Sequence, residues 1–132
     1  MKYFTIKELC KSNTATQYGI DNTPNDEVVG NLTKLVDNVL DPLRERYGKP
    51  IIVNSGYRSP ELNKAVGGVW NSEHLTGRAA DISVRSKEGN KELFELAQRL
   101  NLPYRQLLNE SNYSWVHISY NENDIKRQVL NL

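Results

Sequence analysis

SEHLTGRAADI, residues 72–82, sets His74 and Asp81 seven positions apart, with Gly77, Ala79 and Ala80 between them. One other histidine exists in the chain, His117, in WVHIS at 115–119. Small residues let two chain segments approach closely, so the stretch reads as scaffolding that brings an imidazole and a carboxylate to one point. Its second half, continued as AADISV, has the short apolar character of a strand with Asp81 at its mouth.

Residues two apart on a strand share a face, which points Trp115, His117 and Ser119 the same way. A histidine standing alone is more often a hydrogen-bonded polar residue than a ligand, and only the combination of two histidines with a carboxylate points to a metal. Two neutral imidazoles and one carboxylate form a three-ligand set suited to Zn²⁺, with the fourth tetrahedral position left to water. An open position implies catalysis more than structure, because closed sites use four protein ligands and usually cysteines. Cys10 is the only thiol and is expected as apolar filler in an early helix.

Working outward, PIIVNSGYRSP (50–60) reads as a short buried strand leaving through a glycine turn. Ser59 and Pro60 start a brief helix through Val66, ended by Gly67 and Gly68. The strongest helix pattern lies in TPNDEVVGNLTKLVDNVLDPLRERYGK, where Val28, Val29, Leu32, Leu35, Val36, Val39, Leu40 and Leu43 recur at helical spacing. Thr23 is its expected cap, Pro24 suits its first turn, Pro42 should kink it and Gly48 should stop it. A capping-box pattern, Thr5 with Glu8, opens an earlier short helix. NKELFELAQRLNL reads as another amphipathic helix, with Leu93, Leu96, Ala97 and Leu100 inward. RQLLNE and WVHISY are strands joined by SNYS, and IKRQVLNL supplies a last strand. The expectation is one domain over 1–132 with an α+β fold, a small antiparallel sheet carrying helices on one side.

The totals exclude several classes. Lys plus Arg number 17 against 16 acidic residues, a net charge of +1, spread evenly over the two halves. Without a basic stripe, neither nucleic acid nor an anionic membrane surface is an expected partner. The N-terminus lacks the about 7–15 apolar residues of a signal peptide, and no run approaches the roughly 20 that span a bilayer. Synthesis in the cytoplasm as a monomer is expected, and a target outside would require separate release or export.

SGYRSPELNKAVGG, SEHLTGRAADI and WVHIS, in that order, resemble the M15 family of zinc peptidases, the D-Ala-D-Ala carboxypeptidase and L-alanyl-D-glutamate endopeptidase group. The family motif Ser-x-His-x-x-Gly-x-Ala-x-Asp is matched by Ser72, His74, Gly77, Ala79 and Asp81. The resemblance covers nearly the whole chain and implies the fold shared by DD-peptidases and the hedgehog signalling domain. It implies Zn²⁺ held by His74, Asp81 and His117, and hydrolysis of peptide bonds in peptidoglycan stems. Arg58 matches the family arginine that faces the developing oxyanion or a substrate carboxylate; its alternative is a structural salt bridge. Ser72 is read as a substrate contact or a turn cap, and Trp115 as pocket wall.

The proton-transfer residue departs from the pattern. Relatives carry a glutamate three residues before the last histidine and a tryptophan immediately before it; Ser114 and Val116 stand there in this chain. Glu110, seven residues before His117, is the expected base, folded back over the metal by the SNYS turn, with Glu73 as the alternative. If neither serves, the chain becomes a zinc-containing module that binds peptidoglycan or a protein with little turnover.

Overall fold

The computed structural model describes all of residues 1–132. Two short helices come first, α1 (Ile6–Cys10) and α2 (Asn13–Tyr18). The Thr5 hydroxyl accepts the Glu8 N–H at 3.1 Å, as the capping pattern requires. α2, which has no strong apolar period, is held by the Ser12 cap on the Ala15 N–H and by Gly19 at φ 65°.

The long helical segment starts later than its threonine suggests. Its first helix, α3 (Asp26–Leu35), is capped by Asn25, whose carbonyl oxygen accepts the Val28 N–H at 2.9 Å. Thr23 and Pro24 fall outside it, because Asp21 already binds the Thr23 N–H at 2.9 Å in a local turn. Asp26 and Glu27 in the first turn suit the positive end of the helix dipole. Pro42 acts as a widening rather than a simple bend: a π-helical turn at Val36–Leu40 leads into α4 (Asp41–Tyr47), with the proline in the first turn of α4. A proline lacks its N–H and crowds the carbonyl four residues back, and the wider turn accommodates both. Gly48, at φ 77°, ends the run.

Strands β1 (Ile52–Ser55), β2 (Ala79–Ser83), β3 (Gln106–Glu110), β4 (Trp115–Ser119) and β5 (Gln128–Asn131) form one sheet in the order β1-β2-β4-β3-β5. Helix α5 (Pro60–Ala65) follows β1, and α6 (Lys87–Arg99) follows β2. The fold is α+β. The sheet is mixed, however, since β5 runs parallel to β3 while the other pairs are antiparallel. The segment after β4 returns to the start of β3, where the Gln128 N–H bonds the Arg105 carbonyl, so β5 begins level with Gln106. β1 is an edge strand rather than a buried one: Ile52 is exposed and only the preceding Ile51 is buried.

A core of 22 residues joins α1, α3, the π-helical turn, α4 and α6 to one sheet face, through Ala80, Ile82, Leu107, Val116 and Ile118. Leu93, Phe94 and Ala97 carry the buried stripe of α6, with Leu96 and Leu100 at its margin. No helix is long and apolar enough to cross a membrane.

Candidate metal centre

The opposite sheet face carries the polar row. Ser55 on β1 stands opposite Asp81 on β2, Asp81 opposite His117 on β4, and His117 opposite Leu108 on β3. Directly paired residues share a face, so the register alone sets a carboxylate beside an imidazole. Ser55 enters this row through an irregularity: Val53 pairs with Ile82 but Ser55 with Asp81, which leaves Asn54 as an extra residue. Bulges of this kind re-aim a side chain near functional sites.

His74 arrives from a different element, a single 3-10 turn at Glu73–Thr76 laid over the sheet. The Ser72 hydroxyl accepts the His74 backbone N–H at 3.2 Å and so caps that turn. Gly77 ends it at φ 75°, where a Cβ would lie 2.9 Å from both the Val28 carbonyl oxygen and its side chain. The glycine is therefore needed for the left-handed turn and for contact with α3. Ala79 and Ala80 are fully buried on opposite faces of β2. The small residues pack the turn and strand against the body of the protein, which is how they fix the distance between His74 and Asp81.

One ligand atom from each of His74, Asp81 and His117 lies within 4.8 Å of the others. Asp81 bridges the two rings: Oδ1 is 2.9 Å from His117 Nδ1 and Oδ2 is 3.3 Å from His74 Nε2. The far nitrogen of His74, Nδ1, lies 2.7 Å from the Gly56 carbonyl oxygen. That carbonyl is held because the chain at Gly56 runs against α1, so closely that a Cβ would sit 2.1 Å from the Leu9 carbonyl oxygen. With Nδ1–H donating to Gly56, the His74 lone pair lies on Nε2, facing Asp81.

This donor set fits a zinc ion. With bonds of about 2.0–2.1 Å, neighbouring ligand atoms around tetrahedral zinc lie roughly 3.3 Å apart; the two Asp81 contacts, at 2.9 and 3.3 Å, are close to that, and the whole set stays within 4.8 Å. Three ligands leave an open position, and the cluster lines a groove of about 910 Å³. Burial works against the Asp81 charge, but hydrogen bonds from His117 and His74 outweigh it and hold the carboxyl well below the usual carboxylate range. Burial likewise opposes charge on His117, yet the Asp81 and Glu73 carboxylates raise its pKa from 6.5 to about 9 in the metal-free protein.

Arg58 lies beside the row. Its guanidinium contacts Asp81 Oδ2 at 3.5 Å and donates to the Ser55 hydroxyl at 3.0 Å and the Asn63 side-chain carbonyl at 3.2 Å. Ser72 and Trp115 line the groove, as does Glu110. Glu110 pairs with Trp115, one step along the same sheet face from the Leu108–His117 pair, and no ion pair engages it. Diagonal neighbours on one face are roughly 7–8 Å apart, within reach of a glutamate. The turn between β3 and β4 does run back sharply, with Ser111, Asn112 and Tyr113 all at positive φ.

Glu73 takes another course: its Oε1 is 3.8 Å from His117 Nε2 and 3.4 Å from Arg105 Nη1. Three participants escape a reading of the sequence. The Gly56 carbonyl carries no side-chain signal, Arg105 lies far from any motif, and Ser55 depends on the bulge. Cys10 is half-buried in α1, and burial pushes its thiol up to about 11, away from the nucleophilic thiolate form.

Two comparisons bear on this arrangement. The family model described as Peptidase M15 matches residues 2–119. The zinc D-Ala-D-Ala carboxypeptidase of Streptomyces albus G is 47% identical over 49 residues, a stretch spanning 36% of this chain and 19% of that relative. That relative's name carries zinc, the ion that the donor set of His74, Asp81 and His117 fits in this chain.

Proposed function

The chain belongs to the M15 peptidase family, and from that premise we propose that it is a zinc-dependent peptidase acting on the stem peptides of peptidoglycan. The observation that carries the reading is the meeting of His74, Asp81 and His117 within 4.8 Å at the floor of an open groove. The relative's name supplies the substrate class, a peptide ending in D-alanine residues, here taken as either a carboxypeptidase or an endopeptidase target.

Zn²⁺ bound by the three side chains supplies Lewis acidity toward a carbonyl and lowers the pKa of water toward ~7. The rest is work for the chain's own groups. Glu110 accepts the proton of the attacking water at a carboxylate oxygen and returns it to the leaving amine as the peptide bond breaks. Arg58, fixed on three sides by Asp81, Ser55 and Asn63, keeps further N–H donors for the substrate carbonyl oxygen or a terminal carboxylate. Ser72 and Trp115 serve as substrate contacts along the groove wall. Its place of action is the cell wall, reached by release or export.

The test is digestion of purified peptidoglycan with metal-free and zinc-restored protein, followed by mass analysis of the fragments. New termini within the stem peptide, formed only after zinc is restored, are the expected result. Intact muropeptides from zinc-loaded protein would replace the enzyme with a binding module.

A further inference from the structure

Each imidazole of the site has one nitrogen turned toward Asp81 and the other turned away. The outward nitrogen of His74 is satisfied by the Gly56 carbonyl at 2.7 Å. The outward nitrogen of His117, Nε2, faces only a side chain, Glu73 Oε1 at 3.8 Å. Glu73 in turn is paired with Arg105 Nη1 at 3.4 Å, and Arg105 Nε with Asp124 Oδ2 at 2.8 Å. The 3-10 turn thus sends two neighbouring residues to opposite ends of the centre, His74 to its inner side and Glu73 to the back of the other imidazole.

We propose that Glu73 is a positioning residue: it grips His117 Nε2–H from behind, fixes the tautomer whose lone pair lies on Nδ1, and is itself oriented by Arg105 and Asp124. The inference rests on the zinc reading of the site and assigns a role outside proton transfer to the second glutamate near the metal. Two features argue against Glu73 as the base. It sits on the side of the His117 ring remote from Asp81, and so from the ion, and its charge is already engaged by Arg105. The separation of 3.8 Å is that of an ion pair rather than a hydrogen bond. The broad terminal torsion of the Glu73 side chain lets its carboxylate close that gap to a hydrogen bond. Carboxylates behind metal-bound imidazoles set ring orientation and raise ligand basicity, and their removal typically weakens metal binding by about 10–100-fold.

The experiment measures zinc affinity by chelator competition for the parent, Glu73→Ala, Glu73→Gln and Glu110→Gln. It also records the ¹⁵N signals of the His117 ring in the zinc-loaded parent and Glu73→Gln proteins. Glu73→Ala should bind zinc about 10–100-fold more weakly. Glu73→Gln should recover most of that loss, because an amide carbonyl still accepts the Nε2–H, whereas a merely structural role would not be rescued in this way. The parent ring should show a protonated Nε2 and an unprotonated, metal-bound Nδ1.

Affinity for Glu73→Ala within about twofold of the parent, against that 10–100-fold expectation, would overturn the proposal. So would a His117 ring protonated at Nδ1, or a Glu73→Gln protein that holds zinc like the parent but no longer cleaves. Should Glu73→Ala not fold, the Glu73→Gln protein and the ring signals decide alone. A zinc-binding parent that cleaves no wall peptide removes the peptidase reading, and the affinities still judge Glu73.

Discussion

The two faces of the β2–β4 pair are built from alternate residues of the same strands and do opposite things. Ala80, Ile82, Val116 and Ile118 all turn to the helices, are fully buried, and bring no side-chain polar atom that needs a partner. Asp81 and His117, one position out of phase, turn to the groove with every polar atom tethered: to each other, to His74, to Arg58 and to Glu73. The apolar face positions the polar one. A slip of one residue in this pairing would exchange the faces, burying an acid and an imidazole under α6. Core packing thus enforces the register that the metal centre needs.

The sharpest way to break the groove side is His117→Ala. It should abolish zinc binding, measured as metal content after dialysis, a larger loss than the about 10–100-fold expected when only an outer partner is removed. The apolar face is untouched, so the metal-free variant should still fold, as seen by circular dichroism. Retained zinc at the parental level would refute the ligand assignment. Next in size is Glu110→Gln, expected to lower the rate of stem-peptide cleavage by about 10²–10⁴-fold while zinc affinity stays unchanged. A variant that still cleaves at the parental rate would remove Glu110 from proton transfer.

The mirror experiment deletes volume on the other face. Ile118 is fully buried between the strands and the helices, and Ile118→Ala should cost about 2–5 kcal/mol of unfolding free energy in urea titrations. Because His117 and Asp81 are held by groove-side contacts, zinc affinity in the folded variant should stay near that of the parent. Equal damage to zinc affinity would mean that the two faces are mechanically coupled rather than independent.

Legibility in the sequence follows the same division. The α+β plan is readable because it depends on local periods: the heptad-like stripe of Val28 to Leu43, the short apolar run of AADIS, and glycines at helix ends. The meeting of His74, Asp81 and His117 is suggested by the rarity of histidine and the two-residue period of a strand, and becomes readable through the match of Ser72, His74, Gly77, Ala79 and Asp81 to a family motif. What escapes depends on pairing across the sheet. Nothing local says that β5 lies parallel beside β3, that β1 is an edge, or that Asn54 is an extra residue in its strand. The Asn25 cap escapes because Thr23 and Pro24 offer an equally good local signal two residues earlier, and the π-helical turn before Pro42 because its apolar spacing reads like that of an ordinary helix. Glu73 is the clearest case: adjacent to His74 in sequence, it reaches a different imidazole only because the chain folds there into a single 3-10 turn.

The mildest perturbation, pH, separates the faces without a mutation, since the helix-facing residues of β2 and β4 carry no titratable group. In the metal-free protein the two carboxylates around His117 raise its pKa from 6.5 to about 9. A raised folded-state pKa contributes stability that is fully present below the unfolded value and is lost as pH rises through the folded one. Metal-free protein should therefore lose stability between about pH 6.5 and 9. Asp81 works in the other direction: its depressed pKa contributes stability above the usual carboxylate range, lost only in strong acid. Zinc must displace the His117 proton, so its apparent affinity should climb about tenfold per pH unit toward pH 9 and then flatten, with one proton released per ion bound. The alkaline loss of stability should vanish in the zinc-loaded protein, where the ion takes the proton's place. Ile118→Ala, by contrast, should lower the whole stability curve without changing its shape. Zinc affinity that is flat from neutral pH to pH 9 would show that His117 is already neutral, and that its two carboxylate neighbours do not hold the proton that the groove-side geometry assigns to them.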